Sequence, residues 1–329
     1  MENKCILLIG GSGFLGHKLT ERYVDNNKVV VFSRCESKHW KMNLEFNNHP
    51  NLSFVLGDIR NKDKIRQLLV RTNPNVIIVA AAMKHIDKCE NDSNECILTN
   101  IIGTQNTVDE IELNRKQLTN LESVCFVSTD KACSAVNIYG MSKAVSECLF
   151  IEKSKYIKDI KFVCVRYGNV LNSTGSIIPI LHELGKNEKV NEFTLTDKNM
   201  TRFVMTYQQS VDLIEYAILH GENGDVVIPK LISCKVADLF EIFSKFYNKP
   251  IRVTGLRPGE KLLESLINET QSLRLDIKEN GYMHIKPCYR NISIEHEFVK
   301  DYNSTINPLS KEELMEYLVK LNLIETFSG

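Results

Sequence analysis

Two short groups of residues in the middle of the chain have the types and spacing of a catalytic site. In the first group, Tyr139 and Lys143 are four residues apart and precede a helical pattern over residues 144–155, so both lie on one helix face. An ammonium group beside a phenol lowers the phenol pKa, which is about 10 in water. Alone this spacing is weak evidence, because tyrosine and lysine at helical spacing usually form a solvated face.

The second group comprises Thr129, Asp130 and Lys131, which follow an apolar run over residues 124–127. That run predicts a buried strand. Open α/β sheets bind their ligands at the carboxyl ends of their strands. A hydroxyl, an acid, an amine and a phenol are therefore expected at one edge of a sheet, and this combination indicates an enzyme.

A glycine-rich turn near the start of the chain has the arrangement of a dinucleotide site. Residues 5–9 form an apolar strand pattern, and Gly10, Gly13 and Gly16 precede a helical pattern that continues to about Tyr23. Unpaired amides and the helix dipole at such a turn favour a pyrophosphate. Isolated glycine triplets are often only tight turns, but here the strand before and the helix after them meet the requirement for a dinucleotide site.

The second predicted strand, residues 28–32, ends in Ser33 and Arg34. An acidic residue about 20 positions beyond the first glycine would select NAD through its free ribose hydroxyl, whereas an arginine accommodates the 2′-phosphate of NADP. The hydroxyl and the arginine therefore favour NADP. The alternative is that Arg34 is simply an exposed cation in a loop.

Two further strand ends are expected to contribute to the cofactor pocket. Asp58 follows the apolar residues 52–56, in a position to cap the adenine. The small residues Ala80 and Ala81 follow the apolar residues 76–79, and their size lets the cofactor approach the backbone.

The composition is that of an ordinary globular protein. The 329 residues are 43% hydrophobic and 25% charged, and 41 basic residues balance 41 acidic ones, so no bulk field attracts nucleic acid or an anionic membrane. No apolar stretch of about 18 residues predicts a signal peptide or a membrane span. Ten cysteines without a Cys-x-x-Cys pair and eight scattered histidines predict a reduced, cytoplasmic protein without a metal.

Strand and helix patterns alternate up to about Arg166, which predicts an α/β fold with a doubly wound parallel Rossmann sheet. We expect residues 1–168 to form the cofactor-binding domain. Glycines and a proline interrupt the periodicity beyond it, so residues 169–205 and 229–329 are expected to form a smaller, discontinuous substrate-binding lobe and tail. A capping box at Ser310 predicts a final helix that docks on the body or on a partner subunit.

Together these motifs resemble those of the extended short-chain dehydrogenases/reductases, and within that superfamily those of the inverting, C5-epimerising UDP-N-acetylglucosamine 4,6-dehydratases. The resemblance covers about residues 4–266. It rests on residues 10–16, 80–85, 99–104, 128–132, 139–143, 166–170, 201–203 and 257–261. The subfamily is indicated by the pair Asp130 and Lys131, because retaining dehydratases have an Asp-Glu pair there and simple 4-epimerases and reductases have small or hydroxylic residues.

The resemblance implies a fold and a reaction. Residues 206–228 return to the main sheet. Tyr139, as phenolate, takes the proton from O4 of the sugar while C4 gives a hydride to NADP. Lys131, as a neutral amine with a depressed pKa, removes the C5 proton, and protonated Asp130 donates to the departing C6 hydroxyl. Thr129 contacts the O4 region, although a turn-forming role is an alternative.

The resemblance also implies which residues bind the ligands. Arg202 and Arg257 are expected on the UDP diphosphate, Glu260 on the ribose or on Arg257, and Lys84 and Asn169 on the sugar nucleotide. The expected cofactor contacts are Gly10, Ser12, Gly13, Phe14, Leu15, Gly16, Ser33, Arg34, Asp58, Ile59, Ala80, Ala81, Lys84, Tyr139, Lys143 and Val170. Relatives imply a homo-oligomer.

Three functions remain open at this stage. The first is the inverting dehydratase acting on UDP-N-acetylglucosamine. The second is a retaining dehydratase, or an NADP-dependent reductase or 4-epimerase of sugar nucleotides. The third is a non-catalytic NADP-binding regulator, which the intact Tyr139 and Lys143 disfavour.

Overall fold

The computed structural model of the protein describes residues 1–290 and 300–325. Its strands are, in chain order, β1 (Cys5–Ile9), β2 (Lys28–Ser33), β3 (Leu52–Leu56), β4 (Val76–Val79), β5 (Ser123–Val127), β6 (Lys161–Val165), β7 (Asn169–Val170), β8 (Phe193–Leu195), β9 (Thr201–Met205), β10 (Val226–Ile228), β11 (Ile232–Lys235), β12 (Ile251–Val253), β13 (Ser265–Ile267), β14 (Leu275–Ile277), β15 (Met283–Ile285), β16 (Tyr302–Asn303) and β17 (Pro308–Leu309). Its α-helices are α1 (Phe14–Tyr23), α2 (Glu36–Glu45), α3 (Lys62–Thr72), α4 (Ile86–Asn91), α5 (Ser93–Ile97), α6 (Gly103–Leu113), α7 (Ile138–Tyr156), α8 (Ile177–Lys186), α9 (Tyr207–His220), α10 (Val236–Tyr247), α11 (Glu269–Ser272) and α12 (Lys311–Lys320).

The main sheet has nine strands in the order β14-β15-β10-β6-β5-β4-β1-β2-β3. Strands β1 to β6 and β10 pair in parallel, which confirms the predicted doubly wound Rossmann sheet. Helices cover both faces, so successive side chains of β1 enter two different cores. Leu7 and Ile9 pack on one face, and Ile6 and Leu8 pack on the other. This two-sided burial explains why β1 is an uninterrupted apolar run.

A hairpin at one edge of this sheet departs from the sequence analysis. Strands β14 and β15 pair antiparallel with each other, and β15 pairs antiparallel with β10, so residues 275–285 extend the main sheet although they were assigned to the smaller lobe. His284 Nδ1 and Lys286 Nζ lie 2.9 and 3.1 Å from Asp225 Oδ2, and all three residues are buried. These polar residues and the three-residue strands obscure the strand pattern in the sequence. Residues 291–299 and 326–329 of the predicted lobe lie outside the described part.

The smaller sheet has the order β17-β11-β9-β7, and β12 pairs with β8 beside it. Its core also includes α8, α10 and α12. The predicted capping box is present, because Ser310 Oγ accepts from the Glu313 N–H at 3.1 Å and Glu313 Oε2 accepts from the Ser310 N–H at 2.8 Å. Leu314 and Leu318 are buried in this core, so α12 docks on the body of the protein.

A buried ion pair fixes the edge of the main sheet where the chemistry is expected. Glu147 of α7 accepts from Arg166 Nε at 2.8 Å and from Ser128 Oγ, and both charged residues are about 3% exposed. Arg166 Nη1 also donates to Leu266 O at 3.0 Å and to Gln271 Oε1 at 2.8 Å. This network therefore connects β5, β6, α7 and β13. The Ser128 hydroxyl is engaged in this network as a donor to Glu147 Oε1.

We expect the substitution Arg166→Met to destabilise the fold by about 3–5 kcal/mol, because it leaves the Glu147 carboxylate buried without its partner. Urea denaturation followed by circular dichroism measures the change in free energy of unfolding. Arg115→Met is the control, because Arg115 pairs with Asp159 at the surface, where such a pair contributes about 1 kcal/mol or less. Equal losses in the two variants would contradict the role given to the buried pair.

Candidate active site

One cleft of about 1080 Å³ opens at the carboxyl ends of the parallel strands. It brings together nearly all of the residues that the sequence analysis selected. The predicted site residues that line it are Gly10, Ser12, Gly13, Phe14, Leu15, Gly16, Ser33, Arg34, Ile59, Ala80, Ala81, Lys84, Thr129, Lys131, Tyr139, Lys143, Asn169, Val170, Arg202, Arg257 and Glu260. Asp58 and Asp130 lie behind this lining.

The glycine turn after β1 leaves room for a large anionic group. Gly10 has φ +87°, and a Cβ there would lie 2.5 Å from the Ala81 amide nitrogen. A Cβ on Gly16 would overlap the Gly11 carbonyl. Helix α1 starts after Gly13 with no side-chain cap and no acidic residue in its first turn, so nothing in that turn neutralises its positive end. A dinucleotide pyrophosphate fits this cradle.

The end of β2 forms the adjacent part of the cleft. Ser33 Oγ lies 2.7 Å from Ser12 Oγ and 2.6 Å from His39 Nε2. Arg34 Nη1 lies 3.6 Å from Asp58 Oδ2, and Asp58 also accepts from Arg60 Nη2 at 2.7 Å. Asp58 therefore holds two arginines from behind the cleft wall, and the Arg34 side chain remains 54% exposed.

Tyr139 and Lys143 lie in the first turns of α7, but their electrostatics differ from the sequence analysis. Burial raises the pKa of Tyr139 to about 12, even though Lys131 and a hydrogen bond with Thr129 lower it. Burial lowers the pKa of Lys143 to about 8. Its Nζ donates to Val127 O at 2.7 Å and lies 4.4 Å from the centre of the Phe126 ring. Burial therefore leaves the phenol pKa above its usual value, contrary to the depression expected from the sequence.

Lys131 is also in a different state from the one expected. Its Nζ lies 3.0 Å from Asp130 Oδ1 and 3.6 Å from Glu264 Oε1. Burial lowers the pKa of Lys131, but the attraction of these two carboxylates outweighs it and raises the pKa above its usual value. The predicted depressed pKa is wrong, because the carboxylates of Asp130 and Glu264 favour the ammonium form of Lys131.

Asp130 lies beneath Lys131 and is fully buried. Its Oδ1 accepts hydrogen bonds from Thr129 Oγ1 at 2.9 Å and from Lys131 Nζ at 3.0 Å. Its Oδ2 is buried and has no hydrogen-bond partner within residues 1–290 and 300–325. This second oxygen is the part of Asp130 that remains for a proton or for a ligand.

Glu264 is a site residue that the sequence analysis missed. It lines the cleft and is 2% exposed. Its position is visible in the sequence as a single carboxylate within the otherwise uncharged run Leu262-Leu263-Glu264-Ser265-Leu266. An isolated charge within an apolar pattern marks a buried ionisable group, and such groups concentrate at functional sites.

The residues expected to bind the substrate have partners within the protein. Arg202 donates from Nη1 to Thr201 O at 2.7 Å and from Nη2 to Lys261 O at 2.9 Å, so it holds the segment after β12. Glu260 Oε2 accepts from the Arg257 N–H at 3.1 Å, which supports the alternative that it holds Arg257.

Two other expected sugar-nucleotide contacts lie across the cleft. Lys84 Nζ donates to Thr174 O at 2.9 Å, and Lys131 Nζ donates to Asn169 Oδ1 at 3.4 Å. In the part of the chain that the structure describes, no helix is long and apolar enough to cross a membrane.

Residues 6–287 match the model of the polysaccharide biosynthesis protein family. The chain belongs to this family. It is 34% identical, over 96% of its own length and 98% of the relative, to the inverting UDP-N-acetylglucosamine 4,6-dehydratase of Campylobacter jejuni subsp. jejuni serotype O:2. It is 32% identical to the UDP-glucose 4-epimerase of Rickettsia bellii, over 98% of its own length and 97% of that protein.

Solved structures agree with this assignment. The structure of Pen from Bacillus thuringiensis superposes with a TM-score of 0.87 at 31% identity, covering 98% of this chain and 99% of that one. A second structure is that of DesIV, a dTDP-glucose 4,6-dehydratase of Streptomyces venezuelae, determined with NAD bound. It superposes with a TM-score of 0.67 at 19% identity, and the match covers 78% of this chain and 88% of DesIV. At this identity the likeness shows the fold alone. The protein is an enzyme of the sugar-nucleotide type, as its dehydratase and epimerase relatives are.

The cradle gives a direct test of dinucleotide binding. In Gly10→Ala the new Cβ would lie 2.5 Å from the Ala81 amide nitrogen, and residue 10 would have to keep a left-handed φ that alanine rarely adopts. The glycine turn after β1 must therefore move. We expect NADPH and NADH to bind at least about 10-fold more weakly, measured by fluorescence titration. Gly255→Ala is the control, because Gly255 has φ +90° with nothing within 4 Å of its Cβ and lies outside the cleft lining. Unchanged affinity in Gly10→Ala would contradict the assignment of the cradle.

Proposed function

We propose that the protein is a UDP-N-acetylglucosamine 4,6-dehydratase that uses NADP and inverts C5, forming UDP-2-acetamido-2,6-dideoxy-L-arabino-4-hexulose. The observation that supports it most is the Lys131 and Asp130 pair beside Tyr139, at the carboxyl end of β5. An amine and an acid in contact are what an elimination of water across C5 and C6 requires.

The proposed reaction starts at C4 of the sugar. Tyr139 takes the O4 proton, and its hydrogen bond with Thr129 holds the phenol in place. When bound, NADP⁺ would supply the acceptor for the C4 hydride and, once reduced, the donor of the hydride to C6, and its positive charge would favour the phenolate of Tyr139. Among the chain's own cations, Lys131 lowers the pKa of Tyr139, and Lys143 lies one turn further along the same helix.

The elimination then needs a neutral amine and a carboxylic acid. One proton passed from Lys131 Nζ to Asp130 Oδ1, over 3.0 Å, turns the resting ion pair into these two species. The amine takes the C5 proton, and Asp130 gives its proton to the C6 hydroxyl, which leaves as water. Both groups are then back in their resting charge states, so the pair consumes no proton overall.

The proton that inverts C5 must come from a different group. Lys131 removes the C5 proton from one face, and inversion requires a proton on the opposite face. Tyr139 still holds the O4 proton at this stage, and returning it to C5 regenerates the phenolate. The two protons taken from O4 and C5 thus balance the two delivered to the departing C6 hydroxyl and to C5.

The remaining residues are proposed to hold the two nucleotides. Residues 1–168 and 206–228 would bind the cofactor. Arg257 and Asn169 of the smaller lobe, together with Lys84 of the cofactor-binding domain, would bind the UDP-sugar. NADP is favoured because Ser33, Arg34 and Lys38 all line the cleft at the end of β2, where a 2′-phosphate would meet a hydroxyl and two cations. Tighter binding of NADPH than of NADH in the titration above tests this choice.

A UDP-sugar 4-epimerase is the second candidate, because curated relatives of nearly equal similarity have that name. Epimerisation at C4 needs the Tyr139 phenol and the cofactor, and it moves no proton at C5. The buried cluster of Lys131, Asp130 and Glu264 has no task in such a reaction. We therefore prefer the dehydratase.

The reaction product separates the candidates. We expect the protein, incubated with UDP-N-acetylglucosamine in D₂O without added cofactor, to release a 4-keto-6-deoxy sugar with deuterium at C5 and the L-arabino arrangement. NMR coupling constants and the mass of the product provide the readout. A D-xylo product would show retention, an isomer of unchanged mass would show epimerisation, and NADPH accumulating in step with product would show a dehydrogenase.

Tyr139→Phe removes the proposed acceptor of the O4 proton. We expect kcat to fall by at least about 10²-fold, as for the loss of a general base, with NADPH affinity unchanged. Tyr207→Phe is the control, since Tyr207 is exposed and outside the cleft lining. Activity near that of the unmodified protein in Tyr139→Phe would assign the base to another group.

A further inference from the structure

Glu264 lies at the point where the smaller lobe meets the end of β5, directly before β13. Its backbone is fixed on both sides by one residue, because its N–H donates to Ser304 Oγ at 3.0 Å and its carbonyl accepts from the Ser304 N–H at 2.8 Å. The next strand is held by the hydrogen bond from Arg166 to Leu266 O. The Glu264 side chain therefore starts from a rigid position.

The carboxylate of Glu264 lies between two ammonium groups. Its Oε1 is 3.6 Å from Lys131 Nζ, and its Oε2 is 3.5 Å from Lys261 Nζ. Oε2 is buried and makes no hydrogen bond within the described ranges. A buried charge of this kind is costly unless it is compensated, and the two lysines provide that compensation.

The charges that face Lys131 come from several elements. The turn after β5 provides Asp130, and the segment before β13 provides Glu264. Strand β9 provides Arg202, whose positive charge opposes that of Lys131, and α7 provides the phenol of Tyr139. Two carboxylates therefore favour the ammonium form of Lys131, and one guanidinium disfavours it. Glu264 is the carboxylate that the smaller lobe contributes.

We propose that Glu264 is a positioning residue that holds Lys131 Nζ at the floor of the cleft and opposes the loss of its proton. Only the catalytic consequence of this role rests on the proposed function. In the dehydratase, Glu264 would control how readily the ion pair of Lys131 and Asp130 converts into a neutral amine and a carboxylic acid. The geometry that supports it does not depend on the substrate.

The test measures the titration of Lys131 directly. Acetic anhydride labels only the neutral amine, and mass spectrometry of the peptide that contains Lys131 gives the extent of labelling as a function of pH. Glu264→Gln removes one negative charge and keeps the side-chain size. Because a nearby carboxylate favours the ammonium form, we expect the labelling midpoint of Lys131 to move to lower pH by about one to three units.

Two variants control this experiment. Glu264→Asp retains the charge, so its midpoint should lie closer to that of the unmodified protein than the midpoint of Glu264→Gln does. Glu110→Gln makes the same change at an equally buried glutamate outside the cleft lining and should leave the Lys131 midpoint unmoved. If Glu264→Gln does not fold, as judged by circular dichroism, Glu264→Ala replaces it.

The outcomes are distinct from those of the product assay. A midpoint that stays in place in a folded Glu264→Gln or Glu264→Ala variant would overturn the proposal, even if the protein is a dehydratase. A midpoint that moves would support it even if no dehydration is seen. In an active enzyme, the pH dependence of deuterium uptake at C5 should shift in the same direction as the labelling midpoint.

Discussion

The buried contact between Glu147 and Arg166 is the interaction on which the arrangement of the site depends. A buried ion pair contributes little net stability, but separating its two partners leaves a buried charge without compensation, which is costly. Arrangements of the neighbouring elements that keep the two partners in contact are therefore strongly preferred. Here it joins the end of β5 to α7 and, through the Leu266 carbonyl, to β13. The phenol, the amine and the two carboxylates of the site are all attached to these three elements.

The cleft is consequently assembled from both lobes. The larger lobe supplies the glycine cradle, Tyr139 and Lys131, whereas Glu264 and Arg257 come from the segment between α10 and α11. Arg202 binds the carbonyls of Lys261 and Leu262 and so keeps that segment against the strand ends. A sugar nucleotide bound between the lobes would therefore meet charges whose relative positions are already set.

Much of this could be predicted from the sequence, and the reasons for success and failure are physical. Strands β1, β2, β4, β5 and β6 are buried on both faces, so their apolar runs identify them, and the left-handed Gly10 is dictated by close contact with Ala81. The charge states of Tyr139 and Lys131 could not be predicted. They depend on burial and on Glu264, which is far along the chain, and no local pattern places it beside Lys131.

The hairpin of β14 and β15 has a consequence for how the protein avoids aggregation. Without it, β10 would be an edge strand with three buried apolar residues and an open row of backbone groups, which is a template for pairing with another chain. The hairpin covers that row and moves the edge of the sheet to a three-residue strand that carries Asp276. The buried polar side chains of Asp225, His284 and Lys286 hold the hairpin in register. The polar cluster that concealed these strands in the sequence therefore also closes this side of the sheet against self-association.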